Sequence, residues 1–259
     1  MMTVPSKVAT RSKSALTTVI LFLLLWGSAV RTHTDLGHLV SGIGNMGDLF
    51  AEMVPPHSKY AQKIVNPLVQ TLQMAILGTS LGGIVALPFV LLAARNVTRA
   101  PWLSWPARIV LNLIRTIPDL LLASIFVAIF GIGAFSGVLS LAVLSFGIIS
   151  KLWYESAEAI DDGPLEAMTA VGANKLQWIA FGVVPQVLPI FTAHLLYTFE
   201  INVRAATILG LVGAGGIGLY LNNTLGLFQY QNTSVIVIAM LMIVFVIDFT
   251  STKLRERLL

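Results

Sequence analysis

Residues 120–150 read LLLASIFVAIFGIGAFSGVLSLAVLSFGIIS and hold no Asp, Glu, Lys or Arg. A helix that crosses a bilayer needs roughly 20 mostly apolar residues, and this stretch exceeds that length. Three further stretches share its character: 66–94, 178–199 and 205–247. The whole chain follows suit. Of its 259 residues 56% are hydrophobic and 11% charged, against about 25% charged in a soluble domain. Mean hydropathy is +0.84. Such a surface excludes a soluble enzyme, a disordered chain and a nucleic-acid module. A β-barrel shows short alternating segments rather than apolar runs this long. What remains is an all-α polytopic membrane protein.

Six spans account for the runs. The first is 15–30, after a tail at 1–14 that carries Lys7, Arg11 and Lys13. This layout also suits a secretory signal, but we read it as a retained helix. The second and third spans are 67–93 and 107–130, the fourth and fifth 133–152 and 178–201. The block 205–247 is too long for one helix and is broken by Gly210, Gly213, Gly215, Gly216, Gly218, Asn222, Asn223 and Gly226. The sixth span is therefore 233–250, and the glycine-rich part is a non-spanning or half-inserted segment. Lys7, Arg11, Lys13, Arg95, Arg99, Arg108, Lys151, Lys175, Lys253, Arg255 and Arg257 then share one side, against Arg31, Lys59, Lys63 and Arg204 on the other. The positive-inside rule makes the richer side cytoplasmic. Both termini are expected inside, with 253–259 as a short tail. Segment 31–65 is expected outside, too short and polar for a domain.

The chain has no cysteine, which removes disulfides, thiolate catalysis and cysteine-ligated metals. The histidines and acids of the outer segment match no metal-ligand spacing, so no metal is expected. Gly78 and Gly82, and Gly133 and Gly137, stand at a spacing that lets helices approach closely. They serve packing within one subunit or an interface between two.

The loop 154–177 is polar yet patterned as helix. Gly163 is a plausible terminator for the helix before it. Pro164 suits a first helical position and Glu166 a first turn. Leu165, Met168 and Val171 form an apolar stripe, and Gly172 ends the turn. Asn174 and Gln177 make an N-cap pattern for the fifth span. A surface helix packed on its own bundle would look the same. However, Glu166-Ala167-Met168, then Gly172, then Val184-Pro185 resemble the EAA loop of ABC-importer permeases. Met168 stands where that pattern has a third-position Ala, and Gly182 where it has Ile. The runs Ile160–Ala167, Pro185–Pro189 and Arg204–Gly218 resemble phosphonate-uptake permeases, over about Asn66 to Thr250.

This resemblance implies a type I ABC importer permease fold like that of methionine importers, with a core over 66–252 and a cytoplasmic coupling helix at 164–172. It implies that Pro164, Leu165, Glu166, Ala167, Met168 and Gly172 dock on the ATPase. It implies a second copy of the chain, a cytoplasmic ATPase dimer and an extracytoplasmic phosphonate-binding protein, all around the lipid bilayer. ATP and Mg2+ would be bound by the ATPase; this chain needs no cofactor and lacks G-x-x-x-x-G-K-[ST]. The cargo implied is a phosphonate, phosphite or phosphate, with methionine or another small solute as the alternative.

Charges within spans are costly and mark function. Arg115 falls about 10 Å into the third span, with Asp119 at i+4. They form either an internal ion pair across Pro118 or an anion site on the translocation path. Glu200 and Arg204, also at i and i+4, are expected at the outer end of the fifth span. They form an interfacial pair or an electropositive entrance. Lone His194 reads as a hydrogen-bonded core residue. Gly213, Gly215, Gly216 and Gly218 formally match G-x-G-x-x-G, but strand, helix and acid are missing around them, so dinucleotide binding is rejected. They either pack tightly or line the path, where free amides could meet an anion. A secondary transporter would show two broken regions in related halves; only one is present. An intramembrane enzyme lacks a nucleophile–base pair.

Overall fold

The computed structural model describes residues 7–32, 36–98 and 100–258. They form α1 (Lys7–Arg31), α2 (Leu36–Glu52), a 3-10 turn (Ser58–Tyr60), α3 (Ala61–Ala93), α4 (Arg95–Thr98), α5 (Pro101–Arg115) and α6 (Asp119–Phe130). After these come α7 (Ala134–Glu158), α8 (Asp162–Ala170), α9 (Lys175–Gln177), a π-helical turn (Trp178–Val183), α10 (Val184–Gly210), α11 (Gly216–Gly226) and α12 (Tyr230–Leu258). No strand occurs among the described residues. Among the described residues five helical stretches are long and apolar enough to cross a membrane, and there are six if the bent pair α5–α6 counts as one broken span.

Two compact units divide after Val54. The first holds α1, which is of spanning length, and α2. That second helix was not anticipated for segment 31–65, which is therefore not a plain loop. Val40, Ile43 and Phe50 recur at helical spacing there, a signal masked by the polar residues between them.

The second unit is built on α3, α7 and α10. Gly78 and Gly82 let α3 lie directly on α7. A Cβ at Gly78 would come within 2.4 Å of the Leu141 side chain, and one at Gly82 within 2.5 Å of Ser145. Later residues of α3 meet later residues of α7, so the two run parallel. In contrast, α10 runs against both. The Trp153 ring, late in α7, stacks on Phe191, early in α10, at 4.4 Å. Asn202, just past the middle of α10, donates to Ser145 and Thr79 near mid-length of α7 and α3. Gly137 fits under Met74 and the Ala214 carbonyl. Gly78, Gly82 and Gly137 thus pack helices within one chain, whereas Gly133 precedes α7 and an added Cβ there would touch nothing within 4 Å.

The third expected span is two helices, bent by 84°. Pro118 has no N–H and disfavours helix at the residue before it. Here it adopts ψ 137° and caps α6 instead of kinking a continuous helix. The fifth span also differs: α10 continues past Ile201 to Gly210.

Candidate functional site

The chain between α7 and α10 forms a short helix with both ends closed. Asp161 caps α8, its carboxylate accepting from the Gly163 amide at 3.0 Å. The helix therefore starts at Asp162 rather than Pro164. Gly163 lies inside it, not at the end of the preceding helix, because α7 already stops at Glu158. At the other end Gly172 takes φ +75°. Gly172 N–H donates to Thr169 and Ala173 N–H to Met168, a glycine-terminated helix stop. With both ends satisfied, nine residues hold their helix without a long hydrophobic face.

What fixes α8 to the bundle is narrow. Leu165 is buried, and the Trp178 indole donates to its carbonyl at 3.1 Å. Gln186 bonds both the Asp161 amide and its carbonyl. Asn174 and Gln177 close the expected capping box ahead of α10. Pro164, Glu166 and Ala167 remain exposed, and Met168 is half-buried. Val171, placed on the apolar stripe by spacing, points outward and is 76% exposed. Glu166 and Asn96 border a cavity of about 570 Å3 beside the helix.

Met168 and Gly182, the two residues that depart from the EAA pattern, meet each other. A Cβ on Gly182 would lie 3.5 Å from Met168 Cγ and 3.1 Å from Leu165 Cδ2. The longer side chain on α8 occupies the space that the missing one leaves below it.

A second site lies half-way along the bundle. Glu200 is buried, and its carboxylate accepts from Arg204 at 2.6 Å and from Arg255 at 3.1 Å. Asp248 of α12 contacts the same carboxylate. The expected positions put Glu200 at the outer end of a span and Arg255 in the inner tail, and their contact rules out that combination. The reason is length: α10 spans about 40 Å at 1.5 Å per residue, so Glu200 sits near its middle, two residues from Asn202. Arg204 is half-exposed and, with Asp119 and Ile201, lines a cavity of about 310 Å3. Arg204 and Asp119 thus come together, as spacing alone did not suggest.

Arg115 takes a different place. It ends α5 at the bend, exposed, with its stem over Gly147 of α7. Among the described residues no ion pair joins it to Asp119. His194 is half-buried, and its Nδ1 has no partner.

The glycines after α10 are buried and their amides are largely spent. Gly213 N–H donates to Gly210, Gly216 N–H to Gln70 at 3.0 Å, and Ile217 N–H to Thr71 at 2.8 Å. Gly213, Gly215 and Gly216 have φ between 69° and 91°, where only glycine is unstrained. A Cβ on Gly218 would meet the Thr207 carbonyl at 1.9 Å. These glycines let α11 fold back against α10.

Sequence reasoning missed Asn202, Arg255, and the Arg108–Glu158 ion pair that also captures the Ala93 carbonyl. A lone Asn in an apolar span was a usable signal. The Arg108–Glu158 pair crosses 50 positions and left none.

An all-helical bundle with helices long and apolar enough to cross a membrane, a capped outward-facing helix and charges held inside it is the architecture of a polytopic membrane protein. Residues 78–258 match the model of the binding-protein-dependent transport system inner membrane component family. The chain belongs to that family and is a permease subunit of an ABC importer. It is 38% identical to the phosphite transport system permease protein PtxC of Stutzerimonas stutzeri, over 86% of this chain and 81% of that one. It is 45% identical to the putative cryptic phosphonate transport system permease protein PhnE2 of Escherichia coli, over 46% of this chain and 98% of that one. Its fold is that of the MetNI methionine ABC transporter in inward-facing conformations: TM-score 0.67, 22% identity, 76% of this chain and 96% of that one.

Proposed function

We propose that two copies of this chain carry a phosphorus oxyanion inward, as phosphonate, phosphite or phosphate, driven by a cytoplasmic ATPase dimer that binds ATP and Mg2+. A binding protein outside delivers the anion. The observation that carries the coupling half of this reading is the construction of α8. It is closed at both ends and anchored through Leu165 and Trp178, while Glu166 and Ala167 face outward. A short rigid helix can transmit a push that a loop would absorb. The α8 end of the bundle is then cytoplasmic, as the basic residues near it favour.

The charged group of Glu200, Arg204 and Arg255 is the proposed path contact. Ionisable residues at membrane depth face a bundle interior or a water-filled cavity, and Arg204 lines a cavity. Each guanidinium donates to one oxygen of Glu200, and an oxyanion offers the same acceptor geometry. Similarity to phosphite and phosphonate permeases supports the cargo class.

The test is Glu166→Lys in the assembled transporter. Binding-protein-stimulated ATP hydrolysis should persist at altered rate while uptake of the oxyanion collapses. Normal uptake by that variant removes α8 from the coupling route.

A further inference from the structure

The outward face of α5 is apolar. Trp102, Trp105, Ile109 and Leu113 recur at i, i+3, i+7 and i+11, and all are exposed. On the opposite side Ser104 and Leu111 are buried, and Arg108 reaches inward to Glu158 and the Ala93 carbonyl. A helix on a water-facing surface turns a polar face outward. This stripe therefore faces hydrocarbon. Arg108 pairs with Glu158 at the end of α7, and the Arg115 stem lies over Gly147, eleven residues earlier in that helix, so α5 runs along α7 with Trp102 and Trp105 at the end nearest Glu158, and tryptophan rings concentrate where a span meets the membrane surface.

A cavity of about 400 Å3 opens beside Trp105, lined by Arg95, Ala100, Pro101 and Ser104. The Arg95 main-chain N–H is taken by Glu158 Oε1 at 2.7 Å. Its guanidinium makes no ion pair among the described residues. Pro101 opens the helix, so the positive end of its dipole is directed at the same space. The Ser104 hydroxyl holds only a stretched 3.5 Å bond to the Pro101 carbonyl.

We propose that this cavity binds the phosphate headgroup of an acidic phospholipid, with an acyl chain laid along Trp105 and Ile109. The charge matches, since an unpaired guanidinium and a helix N-terminus both favour an anion. The lipid matches better than a free ion because the rim is an exposed aromatic stripe. The proposal is independent of the cargo and of the coupling role of α8.

The experiment is native mass spectrometry of the purified transporter, offered equal amounts of phosphatidylglycerol and phosphatidylcholine. Wild type should retain the acidic lipid with about a fivefold preference, the worth of one basic residue at a membrane surface. Arg95→Gln keeps the main-chain bond to Glu158 and should bring the preference close to one. Arg95→Lys should keep most of it. Trp105→Ala should lower the total lipid retained. An undiminished preference in Arg95→Gln overturns the proposal, as does no preference in wild type. Displacement of the lipid by excess inorganic phosphate overturns it too, and assigns the cavity to a free anion. Should Arg95→Gln not assemble, loss of preference in Arg95→Lys, or unchanged lipid in Trp105→Ala, overturns it equally.

Discussion

Two short helices in this chain are bounded by glycine, and they use it for opposite ends. At α8, Gly172 stops the helix in open space, where an added Cβ would touch nothing within 4 Å. At α11, Gly218 lies so close to the Thr207 carbonyl that no side chain fits. The first region shows its polar residues to the outside. The second buries the start of its helix, Gly216 to Gly218, and commits the amides there and just before it to Gln70, Thr71 and Gly210. The contrast separates the part we propose meets a partner from a part that holds the bundle together. It also shifts attention for the anion path from the glycines to Glu200, Arg204 and Arg255.

The largest effect should come from the buried side of this comparison. Gly218→Val forces backbone apart at α10–α11, and overpacking of a tight core costs about 1–3 kcal/mol or more. We expect little assembled protein by size-exclusion chromatography. A normally folded, heat-stable variant would show that the contact is slack. Next is Glu200→Leu, which strands Arg204 and Arg255 in the bundle. Breaking a buried pair costs about 3–5 kcal/mol, reduced here because both arginines keep some access to solvent. A clear drop in melting temperature in detergent is expected, and none would mean the carboxylate is dispensable.

The α8 side should give smaller, more selective changes. Gly182→Ile alone should press on Leu165 and Met168. Combined with Met168→Ala it should recover, with a coupling energy of about 1 kcal/mol, within the range for residues in contact. Strict additivity in that cycle would show that the two departures from the EAA pattern do not compensate. Smallest in stability is Trp178→Phe, which removes one hydrogen bond to Leu165 worth about 1 kcal/mol. Its signature should be weakened coupling of ATP hydrolysis to uptake at nearly normal stability. Coupling as strong as wild type would leave Leu165 packing and the Gln186 bonds to Asp161 as the anchors of α8.

Much of this architecture was legible in residue order. Uncharged runs announced the spans, and glycine density announced the break before α12. The N-cap at Asn174 and the stop at Gly172 are local chemistry and were read correctly. The site at Glu200 was half legible: its i+4 partner Arg204 was visible, but Arg255 arrives from another helix. Depth was misjudged because hydropathy places helix ends poorly when a helix outlasts its apolar run, as α10 does. Arg115 was misplaced because the third span was read as one continuous helix over 107–130, whereas Pro118 separates two helices. The partner of Arg108 had no local trace at all.

The central claim is that α8 is the part that meets the ATPase. The chain has no cysteine, so Ala167→Cys would carry a single thiol on the exposed face of α8. In membrane vesicles of the assembled transporter, a short bifunctional reagent should link that thiol to the ATPase subunit. The yield should change between the nucleotide-free and ATP-bound states. Links formed only within the permease, with the thiol equally open to solvent in both states, would contradict the account.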